Sequence, residues 1–334
     1  MASSDGEALA RRPAPMEPAP EPERFEPAYL RLSRSGELAE RARLARAHLE
    51  DCDLCARYCR VNRLQGTRGA VCRTGERAVV SSFGPHHGEE GCLRGRRGSG
   101  TIFFTWCNLR CVYCQNWEIS WKGAGGELGD AELAAVMLNL QDRGCHNINF
   151  VSPSHVVAQV LAALAIAAER GLRLPLVYNT GGYDSPEALA LLDGVIDIYM
   201  PDLKYGDPEL ARTFSHIRDY PRFNQAAVRE MHRQVGDLVL DRDGLALRGL
   251  LVRHLVLPDG IAGTEEVMRF LAREISTRTY INVMDQYRPC FKAGRSPGVD
   301  RALMTVEFQE AVAIAERYGL ERLDHRAAAG RRGG

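Results

Sequence analysis

Residues 101–116 read TIFFTWCNLRCVYCQN. Thr101–Thr105 is an apolar run of the length of one buried strand, and the chain turns polar directly after it. That turn carries Cys107, Cys111 and Cys114 in the spacing C-x3-C-x2-C, with Tyr113 just before the last thiol. Three thiolates can hold three irons of a cubane and leave the fourth iron open, as a catalytic cluster requires; a fourth Cys would close the site. The competing reading is a zinc site or incidental thiols. Structural zinc takes four protein ligands, and no fourth Cys lies near in this loop.

Downstream, apolar runs alternate with helical patterns. Further strands are predicted at Asn147–Val151, Leu174–Tyr178, Val195–Met200, Leu250–Leu257 and Tyr280–Met284. Helices are predicted over Ala131–Arg143 with Asp130 as N-cap, after Ser185-Pro186, over Thr264–Glu274 and over Thr305–Tyr318. This alternation implies an α/β fold with a parallel sheet wound right-handedly. Six units predict a partial (β/α)6 TIM-like barrel, with an open doubly wound sheet as the alternative. Both gather ligands at the carboxyl ends of the strands. Those ends carry Cys107, Ser152, Asn179 with Thr180, Asp202 with Lys204, Arg253 and Gln286.

Upstream, residues 1–30 are Pro-rich, charged and without periodicity, and predict a disordered tail. Residues 31–100 predict a helical, cysteine-rich metal-binding extension ending in a Gly-rich connector with Gly95, Gly98 and Gly100. The barrel is assigned to 101–322 and a flexible basic tail to 323–334. Within the extension, Cys52, Cys55, Cys59 and Cys72 are spaced C-x2-C-x3-C-x12-C. Four thiolates can close a structural zinc site or a second iron–sulfur cluster, and Arg57, Arg60, Arg63 and Arg68 would offset their charge. Cys92, Cys145 and Cys290 read as isolated core or loop thiols.

Composition bounds the partners. The formal net charge of the 334 residues is zero, so no nucleic-acid polyanion is indicated. The chain shows no signal-peptide pattern, and its longest bland apolar run, Leu161–Ala168, is far short of the ~20 residues that span a bilayer. A soluble, cytoplasmic protein without membrane contact is therefore expected. In a reducing compartment ten cysteines point to metal or redox chemistry rather than disulfides. Lysine occurs only at Lys122, Lys204 and Lys292, which singles out each one.

The pattern FF-x-x-C-x-x-R-C-x-Y-C-x-N over residues 103–116 resembles the signature of radical S-adenosylmethionine (SAM) enzymes. Within them it is most similar to the pyruvate formate-lyase activating enzyme branch, over about residues 50–320. The resemblance implies a [4Fe-4S] cluster on Cys107, Cys111 and Cys114, with SAM chelating the open iron. Reductive cleavage then gives methionine and a 5′-deoxyadenosyl radical that abstracts hydrogen. It implies an electron donor such as flavodoxin or ferredoxin, and a substrate protein in which the radical is made. Tyr113, Asn179, Thr180, Lys204 and Arg253 would contact the cofactor, with Asp202 and Lys204 catalytic; Ser152, at the end of its strand, is a further cofactor-binding candidate through its hydroxyl.

Each of these residues also has a plainer reading. Asp202-Leu203-Lys204 resembles the activases' D-x-K; its plainer reading is a surface ion pair at a strand end. Arg253 in VRHLVLPD matches an activase Arg near SAM, or is a structural ion pair across the barrel, since a buried Arg needs a partner. Asn179-Thr180-Gly181-Gly182 resembles a D-T-N-G turn, or is an ordinary strand-to-helix turn. His254 reads as packing or outward-facing, and His155 as a cap-region residue or a ligand contact. One departure stands out. Where the family places a GGE-type motif after the second strand to bind the SAM amino group, this chain has Ser152-Pro153-Ser154-His155; Gly125-Gly126-Glu127 precedes the first barrel helix and reads as a decoy. The alternatives in function are a radical SAM enzyme acting on a small molecule or peptide, and a non-enzymatic iron–sulfur or zinc interaction protein.

Overall fold

Six of the apolar runs pair as parallel strands in the computed structural model, which describes residues 25–324. The greater part of the expected N-terminal tail, residues 1–24, and residues 325–334 of the expected C-terminal tail lie outside the described residues. The strands are β1 (Ala78–His86), β2 (Ser99–Phe104), β3 (Gly126–Leu128), β4 (Ile148–Val151), β5 (Leu176–Thr180), β6 (Ile198–Pro201), β7 (Val239–Leu240), β8 (Ala246–Leu255) and β9 (Tyr280–Met284). Their order is β3-β1-β2-β4-β5-β6-β8-β7, with β9 also on β8. The run β2-β4-β5-β6-β8-β9 is parallel throughout. Helices Asp130–Asp142, Val157–Glu169, Pro186–Leu192, Tyr220–Val235, Thr264–Phe270 and Thr305–Arg317 follow successive parallel strands. This is a partial (β/α)6 TIM-like barrel with an N-terminal cysteine-rich extension. Among the described residues it stays open at β9, whose outer edge meets only a lone bridge from Ile281 to Leu323.

Strand alternation separates two cores. Ile102, Phe104, Ile148, Phe150, Leu250 and Val252 belong to the main core cluster shared with the helices. Residues of the opposite parity, among them Val177, Ile198 and Leu251, cluster with Cys92 and Leu93. The short helix Gly91–Arg94 therefore plugs the barrel floor. Cys92, expected as an isolated thiol, is part of that plug.

The connector expected before Thr101 contains β1, antiparallel to β2 and β3. Ser81, Ser82, Gly84 and Pro85 interrupt the apolar pattern there, and the strand tolerates them because its register slips between Val80 and Ser82. Asp130, expected as an N-cap, is instead the first helical residue; Gly129 caps, its N–H donating to the Glu132 carboxylate at 2.7 Å. Ser185 caps as expected, accepting from Ala188 N–H at 3.3 Å ahead of Pro186. Helices Tyr29–Ser35 and Glu37–Ala47 pack against Val157–Glu169. Asp197 fixes them, accepting from Ala28 N–H at 2.8 Å and from Leu176 N–H at 2.9 Å. Among the described residues no helix is long and apolar enough to cross a membrane.

Candidate functional site

The polar turn after β2 opens with Trp106 in the left-handed region at φ 68°. Its indole lies over Gly123, where a Cβ would meet the ring at 2.1 Å, so only glycine fits there. Cys107, Cys111 and Cys114 then line one wall of a cavity of about 390 Å³ at the carboxyl ends of the strands. Each sulfur faces a polar group. Leu109 N–H donates to Cys107 Sγ at 3.4 Å, Ser215 Oγ–H to Cys111 Sγ at 2.9 Å, and Ser120 Oγ lies 3.1 Å from Cys114 Sγ. Tyr113 OH is 2.6 Å from Tyr205 OH, which is 2.7 Å from Ser215 Oγ, so a hydroxyl chain runs from the aromatic residue to Cys111. Burial pushes the Cys111 thiol up to about 12; a bound metal would be needed to hold it as thiolate at neutral pH.

The remaining lining comes from the other strand ends. Ser152, Asn179, Thr180, Asp202, Lys204 and Arg253 all border the cavity. Lys204 Nζ lies 2.6 Å from Asp202 Oδ2, both side chains being mostly buried. Burial alone would lower Lys204, but Asp202 and Cys111 outweigh it and hold the ammonium protonated. Gly182, at φ 75°, lets the turn after β5 pass beneath this pair; a Cβ would strike Asp202 O at 2.4 Å.

Arg253 is held by an ion pair across the barrel. It donates to Glu90 at 2.8 and 2.6 Å and to Glu89 at 2.5 Å. Asn282 of β9 donates to Glu90 at 2.6 Å. Sequence reasoning missed Glu89 and Glu90, which are 4% and 0% exposed. No periodicity marks them; Arg253 on β8, with Asn282 beside Glu90 and His86 Nδ1 3.0 Å from Glu89, explains why two adjacent acids are inside. Burial alone would raise Glu90, but the Arg253 charge and the Asn282 hydrogen bond hold it down at about 2. A carboxyl held below its unfolded value of 4.5 adds stability that is present above that pH and lost as the pH falls through about 2. The expected loss is about 3 kcal/mol. Urea unfolding between pH 5 and 2 should show it and Glu90→Gln should remove it; identical curves for the two proteins would contradict the assignment.

The Radical SAM superfamily model matches residues 101–242. The chain is also 30% identical over 290 residues to the uncharacterised protein MJ0674 of Methanocaldococcus jannaschii, a match covering 83% of this chain and 78% of that protein. The chain belongs to the radical SAM superfamily. Among solved structures, a radical SAM methyltransferase from Sphaerobacter thermophilus is 17% identical with a TM-score of 0.45, over 66% of this chain and 64% of that one, so this chain spans less than two thirds of it. A structure of TYW1 with a lysine–pyruvate adduct bound is 10% identical with a TM-score of 0.39, over 65% of this chain and 73% of that one.

Radical SAM proteins work with a [4Fe-4S] cluster and SAM, and the donor set fits them. Three thiols on one loop, each beside a polar neighbour, face a cavity wide enough for a further ligand on the fourth iron. In this radical SAM chain the segment at the family's GGE position is a turn, with Ser152 left-handed at φ 58° and a 3-10 turn over Pro153–His155. Ser154 is committed inward, its Oγ 2.9 Å from Thr180 Oγ1, which donates to Asp184 at 2.7 Å. Asn179 makes no side-chain hydrogen bond to the described residues and borders the cavity beside Ser152. Gly126 and Glu127 lie on the edge strand β3, outside the cavity lining. His155 donates from Nε2 to Thr105 O at 3.0 Å, and burial pushes it down to about 3. His254 bridges Leu203 O and Thr264 Oγ1 at 2.7 and 2.9 Å, a buried packing role.

Proposed function

We propose that this radical SAM enzyme is activase-like: Cys107, Cys111 and Cys114 ligate the cluster, and the hydrogen donor is carried on a protein or peptide. The chemistry that the bound cluster and SAM supply is reductive cleavage to methionine and a 5′-deoxyadenosyl radical, which abstracts a hydrogen atom. The chain's own residues orient and shield. Lys204 is aimed to neutralise the SAM carboxylate where water is scarce, and Asp202 fixes the ammonium and offers an acceptor to a substrate N–H. Asn179 supplies a hydrogen-bonding group on the neighbouring strand β5, Tyr113 an apolar face, and Arg253 a cationic floor balanced by Glu89 and Glu90.

The observation that carries this reading is the mouth of the site. Its rim residues Gln115, Asn116 and Gln286 are exposed, and the sheet ends at β9 without closing. A small-molecule enzyme more often needs a lid to exclude water; an inserted loop of a substrate protein would seal this opening itself. The test is electron paramagnetic resonance on enzyme, SAM and reductant with candidate partner proteins carrying deuterated glycine. A carbon radical on the partner, with deuterium in 5′-deoxyadenosine, supports the reading. Efficient turnover of a free metabolite with no protein partner refutes it and favours the small-molecule alternative.

Lys204→Ala is expected to weaken SAM binding by about 2–5 kcal/mol, the cost of removing one partner of a largely desolvated charge pair. The cluster's absorption should be unchanged. Equal SAM affinity in variant and parent, by equilibrium dialysis under anaerobic conditions, would return Lys204 to a structural role.

A further inference from the structure

The four cysteines of the N-terminal extension come together around a buried cation. Cys52, Cys55 and Cys72 are 6%, 7% and 6% exposed, and Cys59 is half-buried. Cys72, Cys52 and Cys59 each act electrostatically on Cys55, and Cys52 and Cys59 act on Cys72. The hairpin that presents them is tight: Cys52 N–H donates to Val61 O at 3.1 Å and Arg60 N–H to Cys52 O at 3.0 Å, with Tyr58 and Arg60 both left-handed.

Arg63 lies among them, 2% exposed. It donates to Thr74 O at 2.7 Å, Gly75 O at 3.4 Å and Cys52 Sγ at 3.5 Å, and meets no carboxylate among the described residues. The ionisable side chains that act on it are the thiols of Cys72, Cys52 and Cys55. The other expected counter-ions are placed elsewhere: Arg60 pairs with Asp51 and Asp53, Arg57 donates to Asn108 O and His216 O, and Arg68 is exposed. A buried guanidinium with neutral thiols around it would be an uncompensated charge, which folded proteins avoid. Thiolates gathered on a metal would supply the missing anion.

We infer that Cys52, Cys55, Cys59 and Cys72 hold a metal centre closed by four thiolates, with Arg63 as its buried counter-ion. Zinc and a second [4Fe-4S] cluster both take such a donor set, and the metal content of the loaded chain tells them apart. Among the described residues no three Cys, His, Asp or Glu side chains already converge to hold a single ion, and that is equally so of Cys107, Cys111 and Cys114.

The segment is also joined to the radical loop. Arg57 donates to Asn108 O at 2.7 Å, and Arg110, the neighbour of Cys111, donates to Ser120 O at 2.9 Å and to Val71 O beside Cys72. Arg110 accordingly feels both Cys107 and Cys72. The two sites are separate in ligands and adjacent in space.

The test is metal analysis and spectroscopy on the full chain reconstituted without oxygen. The Cys107→Ala/Cys111→Ala/Cys114→Ala variant should retain either about four iron and four sulfide or about one zinc per chain, and should lose it when Cys55→Ala and Cys72→Ala are added. Adding SAM should leave the spectrum of the triple variant unchanged, because a site closed by four thiolates has no open position. Arg63→Met should give up the metal to a chelator faster than the parent, and Arg63→Lys should largely restore its retention. Neither iron nor zinc in the triple variant would overturn the site. Unchanged retention in Arg63→Met would overturn the counter-ion.

Discussion

Replacing Cys107, Cys111 or Cys114 with Ala should reduce 5′-deoxyadenosine formation to the background of enzyme-free controls. The three thiols share one loop and one cavity wall, and each has its own hydrogen-bonding neighbour, so none can stand in for another. The loss should be one of chemistry rather than of fold. Cys107 and Cys114 are only partly buried and their removal leaves the apolar core intact, so thermal unfolding of the apo proteins should shift little. Cys111 is the more buried, and Cys111→Ser keeps nearly its volume as a control. The measurement is chromatographic quantitation of 5′-deoxyadenosine after anaerobic reconstitution and reduction. A variant that still cleaves SAM at parental rate would refute the ligand assignment.

Arg253→Met should destabilise the folded chain by about 3–5 kcal/mol, the cost of breaking a buried ion pair from one side. Its partners Glu89 and Glu90 have side-chain exposures of 5% and 0% and would be left as facing acids inside the barrel. The variant should therefore become more stable as the pH is lowered toward the carboxylate range, the reverse of the parent. Adding Glu90→Gln to Arg253→Met should recover part of the loss, because the deepest uncompensated charge is then gone. Denaturant unfolding of apo protein reads this directly. If Arg253→Met unfolds like the parent while SAM affinity falls, then Arg253 serves the cofactor and the carboxylates beside it are incidental.

The barrel was legible because its strands are buried on both faces and read as continuous apolar runs, and because polar residues follow each run. Cys107, Ser152, Asn179, Asp202, Lys204 and Arg253 could be placed on one rim from that rule alone. What could not be read are features that exist only through distant contacts. β1 is broken by Gly84 and Pro85 and is a strand because β2 pairs with it. Glu89 and Glu90 look like a solvated acidic pair until Arg253 arrives from the other end of the sheet. Arg63 stood among four equivalent arginines, and its burial without a carboxylate separates it from them.

The Glu89–Glu90 clasp also sets an order of events in folding. Its bonds to Arg253 and Asn282 span 163 and 192 residues of chain. Contacts of such separation form slowly, after more local ones have reduced the entropy of closing the loop. During synthesis the plug helix Gly91–Arg94 emerges long before β8 and β9, and its acids wait with no cation to meet. Half-made chains should thus hold an incompletely filled barrel that is sensitive to proteases and prone to association. Arg253 and Asn282 should reach the acids late, after β8 and β9 have joined the sheet. Pulse-labelled hydrogen exchange should show amides of β8 and β9 protected last, together with those flanking Glu90.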